Sequence, residues 1–190
     1  MHEDLKMRHS RLAFIAFPRI HTLTTAMLLL IGPVLHAQQP PNPGWGPLRF
    51  LVGDWIGEGS GEPGKGSGSF SFAFDLQGTI LVRKNHAEYP PAADRQAYSH
   101  DDVMVLYFNK DSLQALYLDN EGHVIHYAVE ASGDADTVIF TSAPDPAVAR
   151  YRLTYRRSAS ESLDLTFDIA PAGNPDAFRR YIQASAYRKN

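Results

Sequence analysis

From Gly53 to the C-terminus the chain is a succession of short alternating runs separated by turn residues, with no room between them for crossover helices. Strands are expected at 54–60, 67–75, 79–89, 102–108, 113–119, 123–131, 136–142, 149–157, 162–170 and 180–188. The breaks carry turn chemistry: Gln77-Gly78, Asn109-Lys110-Asp111, Asn120-Glu121-Gly122, Ser132-Gly133-Asp134 and Ala170-Pro171-Ala172-Gly173-Asn174. Alternation sorts the faces. Phe70, Phe72 and Phe74 oppose Ser69, Ser71 and Ala73, while Leu163, Leu165 and Phe167 oppose Asp164, Thr166 and Asp168. Parallel neighbours need long crossovers and antiparallel ones need only turns, so the sheet is expected to be an antiparallel meander. About ten strands twist, and closure removes their exposed edges. The expected fold is therefore all-β, a single antiparallel barrel opened by a short helical turn at Leu48–Leu51. A sandwich is the second architecture.

Composition narrows the function. The 190 residues, 44% of them hydrophobic, suffice for one core. Four basic residues (Lys6, Arg8, Arg11, Arg19) and two acidic ones precede Gln38, so the formal charge of −3 becomes about −5 for the remainder. An acidic domain is a poor match for nucleic acid, whose phosphates demand a basic face. With no cysteine, disulfides, thiolate metal sites and a cysteine nucleophile are excluded.

The N-terminus reads as an export signal. A basic segment from Lys6 to His21 precedes an apolar run from Leu23 to Leu35, and Ala37 then stands before a polar, Pro-rich stretch. The run is shorter than the roughly 20 residues that span a bilayer. The expected organisation is a signal peptide at 1–37, a Pro-rich linker at 38–47 and a barrel domain at 48–190. The product would be periplasmic or secreted, with no membrane span after cleavage. An uncleaved anchor is the alternative.

Leu48-Arg49-Phe50-Leu51-Val52-Gly53-Asp54-Trp55-Ile56-Gly57-Glu58-Gly59-Ser60-Gly61 resembles the opening of the nitrobindin-like β-barrels, which begin with a Leu-rich turn and Gly-x-Trp-x-Gly-Glu-Gly-x-Gly. Tyr181-Ile182-Gln183-Ala184-Ser185-Ala186 is similar to that family's closing His-Leu-x-Ala-x-Leu strand. The resemblance implies a ten-stranded, calycin-like barrel with an internal cavity, related to fatty-acid-binding proteins and lipocalins. It also implies a haem held through the histidine of the last strand, but Tyr181 stands at that position here. A tyrosine can ligate ferric haem; at the mouth of a barrel it also serves as plain lining. No cofactor is expected from the residues alone. Independently of the family, the indole of Trp55 is expected to plug one end, its N–H finding a partner near the first turn.

Four clusters invite chemistry. Gly59 to Gly66 nearly spells a phosphate-binding loop, but Gly66 replaces the metal-holding hydroxyl residue and a strand follows, so a hairpin loop is expected. Period two places Lys84, His86 and Glu88 on one face of their strand and Arg83 with Asn85 on the other. If His86 and His126 both point inward, they meet across the cavity beside Tyr117 and Glu88 and could bind a metal or transfer protons. In the other reading, one of each pair faces solvent. His100-Asp101-Asp102 follows a long connection, 89–100, that suits a rim, a lid or an ordinary turn. Arg150, Arg152 and Arg156 form a solvated row if Tyr151, Leu153 and Tyr155 face inward.

The functional expectation is an exported barrel binding a small, mostly apolar molecule through Trp55, Asn85, His86, Glu88, Tyr117, His126 and Tyr181. The alternatives are an acid–base or metal enzyme, or a haem protein. Oligomeric state is left open.

Overall fold

The computed structural model describes residues 43–132, 134, 136–159 and 161–189. The expected signal peptide and the start of the linker lie outside them. Ten strands form one closed antiparallel barrel: β1 (Gly53–Gly61), β2 (Gly66–Asp75), β3 (Ile80–Tyr89), β4 (Tyr98–Asn109), β5 (Ser112–Asp119), β6 (Val124–Ala131), β7 (Thr137–Ser142), β8 (Arg150–Ala159), β9 (Ser162–Ala170) and β10 (Arg179–Arg188). Each strand pairs with its sequence neighbours, and β1 closes the ring on β10 from Trp55↔Arg188 to Gly61↔Ile182. The meander follows from the short turns, and closure leaves no free edge. Among the described residues no helix is long and apolar enough to cross a membrane.

Two boundaries differ from expectation. Pro43–Leu51 is a 3-10 helix, so the barrel domain takes over the last five residues of the expected linker. Its Trp45 is buried, donates from Nε1 to the Gly78 carbonyl at 3.0 Å, and sits edge-on to Phe74 and Phe108. A Pro-rich stretch reads as linker by composition, but one large indole with a core to enter outweighs that. The second difference is β4, which starts at Tyr98 rather than 102 because His100 and Asp102 continue the inward alternation of Met104 and Leu106. The connection after β3 is correspondingly short, and His100-Asp101-Asp102 is strand, not turn.

The barrel is solid at one end. Trp55, Phe72, Leu81, Leu106, Val138, Phe140, Tyr155 and Leu163 are all essentially inaccessible, and the 3-10 helix seals them with Leu48 and Leu51. Trp55 donates from Nε1 to the Leu51 carbonyl at 2.8 Å, and the Arg188 guanidinium lies 4.4 Å from its ring centroid. Outside, β8 and β9 carry an ion-pair row, Arg152 with Asp168 at 3.2 Å and Arg156 with Asp164 at 2.6 Å, as expected once Tyr151, Leu153 and Tyr155 face inward.

Candidate functional site

The other half of the barrel is hollow. A cavity of about 370 Å³ opens between the β1–β2 hairpin, the β3–β4 connection and the turn before β6. Three kinds of wall surround it, each set by strand periodicity. Along β10, β1 and β2, between Ile182 at one side and Phe70 below, the inward positions are Ala184, Ala186, Gly57, Gly59, Gly66 and Gly68, so this part of the wall is nearly bare backbone. Side chains have no room there: a Cβ on Gly68 would come within 2.2 Å of the His86 carbonyl oxygen, and one on Gly59 within 2.9 Å of Ala184 Cβ. A second wall, from β8 and β9, is apolar, with Tyr151 stacked on Phe167 at 5.9 Å beside Leu153 and Leu165. The third, from β3 to β5, is polar.

That polar wall centres on Arg83 and Asp102, only 5% and 6% exposed, which form an ion pair through Nη1 and Oδ1. Asn85 donates from Nδ2 to Asp102 Oδ2 at 2.9 Å, and His100 Nε2 stands 3.5 Å from the same oxygen. From there a chain runs to the mouth. His100 Nε2 meets the Tyr117 hydroxyl at 2.9 Å, Tyr117 donates to Asp119 Oδ2 at 3.2 Å, and His100 Nδ1 meets Glu121 at 2.9 Å. Asp119 also accepts from the Glu121 and His123 amides and lies 2.8 Å from His123 Nδ1.

Protonation follows these contacts. Asp102, and then Glu121, hold the His100 imidazolium up to about 9 against the opposing effect of burial. Burial alone would raise Asp119, but hydrogen bonds from His123 and the Glu121 amide outweigh it and hold the carboxyl below its usual range. Burial, reinforced by Asp102 and Asp119, pushes the Tyr117 phenol up, so it remains a donor. Burial works against the Arg83 charge, and Asp102 more than restores it.

The His100 value carries a stability prediction. The folded value lies above the ordinary 6.5, so the stabilisation is full below about pH 6.5 and is lost as pH rises through about 9. Thermal melts from pH 6 to 10 should show a decline that is smaller in His100→Gln. The difference between the two proteins should reach about 2–3 kcal/mol at most.

The expected site residues fall into two groups. Asn85, Tyr117 and Tyr181 line the cavity, Tyr181 at the mouth and edge-on to Phe167. His86 and Glu88 do not: they lie on the outer face, where His86 Nδ1 meets Asp101 at 2.7 Å and Nε2 meets Glu88 at 3.3 Å. His126 is also outward, between inward Ile125 and Tyr127. The arrangement of His86, Glu88 and His126 across the cavity is therefore corrected: the alternation set by buried Leu81 and Tyr127 turns all three to solvent. Trp55 lies in the packed half, below the cavity. Sequence reasoning left four lining residues out of the binding set: Arg83, placed beside Asn85; His100 and Asp102, read as rim, lid or turn; and Asp119, which it did not single out. The signal was available, since counting by twos from Leu81 and from Leu106 brings the first three inward.

Fold and site together define the class: a closed ten-stranded antiparallel barrel, packed at one end and hollow with one polar wall at the other. No family model matches the chain, and no curated protein is significantly similar to it. Among solved structures, Rv2717c from M. tuberculosis shares the fold at 16% identity and a TM-score of 0.53, over 78% of this chain and 98% of that one. The S-type phycobiliprotein lyase CPES from Guillardia theta matches at 10% identity and a TM-score of 0.42, covering 74% of this chain and 89% of the lyase. A de novo designed fluorescence-activating β-barrel matches at 10% and 0.39, covering 74% and 95%.

Proposed function

We propose that this chain is a binding barrel that encloses one small, mostly apolar molecule in the hollow half, as an exported relative of the nitrobindin-like barrels. The observation that carries this is the cavity of about 370 Å³, walled by Tyr151, Leu153, Leu165 and Phe167 and polar on one side only. Small-molecule sites have this build, a concave and largely apolar space of roughly 300–1,000 Å³ with a few convergent polar groups. The rim supports it. Tyr89 and Tyr98 stack at 4.7 Å, Arg95 covers Tyr98 at 4.7 Å and reaches the Pro63 carbonyl, so the two flanking connections are tied together around an open mouth. Export rests on the basic and apolar pattern of residues 1–37.

The haem chemistry of the nitrobindin-like barrels does not fit these residues. The position of their iron-binding histidine is Tyr181, packed against Phe167. His100, on the cavity's polar wall, has both ring nitrogens engaged and stays protonated to about 9, which leaves no lone pair for a metal.

N-phenyl-1-naphthylamine, a neutral fluorophore that brightens on leaving water, tests the proposal. Its emission should rise and shift to the blue, saturating at one probe per chain. No enhancement, or enhancement without saturation, would remove the basis for a ligand-binding cavity.

A further inference from the structure

The hollow half is lined with tyrosine beyond what filling space requires. Six of the chain's nine tyrosines border it, one from each of six strands: Tyr89, Tyr98, Tyr117, Tyr127, Tyr151 and Tyr181. The packed half uses Phe72 and Phe140 for the same bulk. A wet mouth accounts for the rim tyrosines, whose hydroxyls meet water. It does not account for Tyr127, which is 3% exposed, lines the cavity and has no partner for its hydroxyl among the described residues. What a tyrosine offers an enclosed molecule is a ring face of negative potential and an oxygen, and both attract a cation. The rim already shows the first: the Arg95 guanidinium lies 4.7 Å from the Tyr98 ring centroid and 5.9 Å from that of Tyr89.

Charge points the same way. Four carboxylates border the cavity (Glu58, Asp102, Asp119 and Glu121) against one arginine and two histidines, so the lining is negative even with both histidines charged. Asp102 pairs with Arg83, Asp119 with His123, and Glu121 meets His100 through one oxygen only, while Glu58 has no ion-pair partner among the described residues. The rim connections do not reverse the sign, since Lys65 and Arg95 are matched there by Glu62 and Asp94. Asp102 and Glu121 keep His100 protonated to about 9 although burial opposes it, so this wall already stabilises a cation of its own. An anionic head would be repelled here, and a neutral one would gain nothing from the field.

We infer that the ligand is an organic cation, with an apolar body beside Leu165 and Phe167 and an ammonium head among Tyr117, Tyr181 and Glu121 toward the mouth. This inference rests on the cavity being a ligand site. A quaternary or otherwise poorly hydrated ammonium suits it best, because such a head gives up little water on entering and keeps its full attraction to the ring faces.

Three probes that share one naphthalene body test it by displacing N-phenyl-1-naphthylamine: trimethyl(1-naphthylmethyl)ammonium, 1-naphthalenemethanol and 1-naphthaleneacetate. The ammonium should bind about tenfold or more tightly than the alcohol, which several ring faces and a carboxylate in a partly dry site can supply. The acetate should bind most weakly. The ammonium-to-alcohol ratio should fall about threefold or more in Glu121→Gln and in Tyr181→Leu, and less in Tyr181→Phe, which keeps the ring face. Glu130→Gln removes the same charge from the outer face of β6 and should leave the ratio unchanged. Circular dichroism confirms the fold of each variant, and the comparison of probes in the unmodified protein stands without them. Equal binding of ammonium and alcohol, a preference for the acetate, or a ratio that neither Glu121→Gln nor Tyr181→Leu lowers overturns the inference, while bound N-phenyl-1-naphthylamine keeps the cavity as a ligand site. An equal fall in Glu130→Gln overturns it too, because the effect would then be one of net charge. Failure of N-phenyl-1-naphthylamine itself to bind removes the ligand-site reading and the inference with it.

Discussion

Replacing Ala87 by tryptophan is expected to lower the affinity for N-phenyl-1-naphthylamine by about thirtyfold or more, which corresponds to roughly 2 kcal/mol. Ala87 lies on the inward face of β3, two residues above Asn85, paired with Gly68 on one side and His100 on the other. An indole projected from there occupies the hollow that the probe needs. The packed end lies farther down the strand, at Leu81, and is untouched. Overpacking destabilises where a core is already full; here the added ring enters open space, so the melting temperature should stay within a few degrees. Loss of binding with the fold intact would locate the site in the upper barrel. Unchanged affinity would place the probe elsewhere.

The second large effect concerns stability. Asp102→Ala should cost about 3–5 kcal/mol, measured by urea unfolding, because it leaves a buried guanidinium without a counterion. Arg83 is 5% exposed and lies against Phe70 at 5.7 Å, and a neutral water entering from the cavity would restore a hydrogen bond but not the counter-charge. Asn85 loses its acceptor in the same step. Such a loss is a large fraction of an ordinary domain's stability of about 5–15 kcal/mol. Arg83→Met/Asp102→Asn, which removes both charges at once, should recover most of it. If the single variant were as stable as the double, the pair would not be the buried element described here.

Sequence periodicity was a good guide to the barrel and a poor one to its contents. The ten strands were legible because turn residues and alternating Phe, Leu and Tyr positions mark them, and nine of the ten begin within one residue of where those signals put them. β4 was the exception. His100 and Asp102 are polar, and a polar residue that faces inward looks like a loop until the register from Leu106 is counted back. The same difficulty hid the site. Histidines near a carboxylate drew attention to His86, His126 and Glu88, yet chemistry alone does not say which face a residue takes; the buried neighbours Leu81 and Tyr127 do. Arg83 was placed on the face it shares with Asn85, but nothing local marks it as buried, because its partner Asp102 is 19 positions away in sequence. That pairing exists only in three dimensions. Trp45 was hidden by the prolines around it, though its indole helps to close the same end as Trp55.

The most direct test of the hollow half is to ask where a bound probe sits. Nuclear Overhauser effects between N-phenyl-1-naphthylamine and methyl-labelled protein should connect the probe with Leu153, Leu165 and Ile125, which line the cavity, and not with Leu81 or Leu106 in the packed end. Effects confined to Val103, Leu118 and Val124, which are exposed on the outer face, would show that the probe never enters and would contradict the account at its centre.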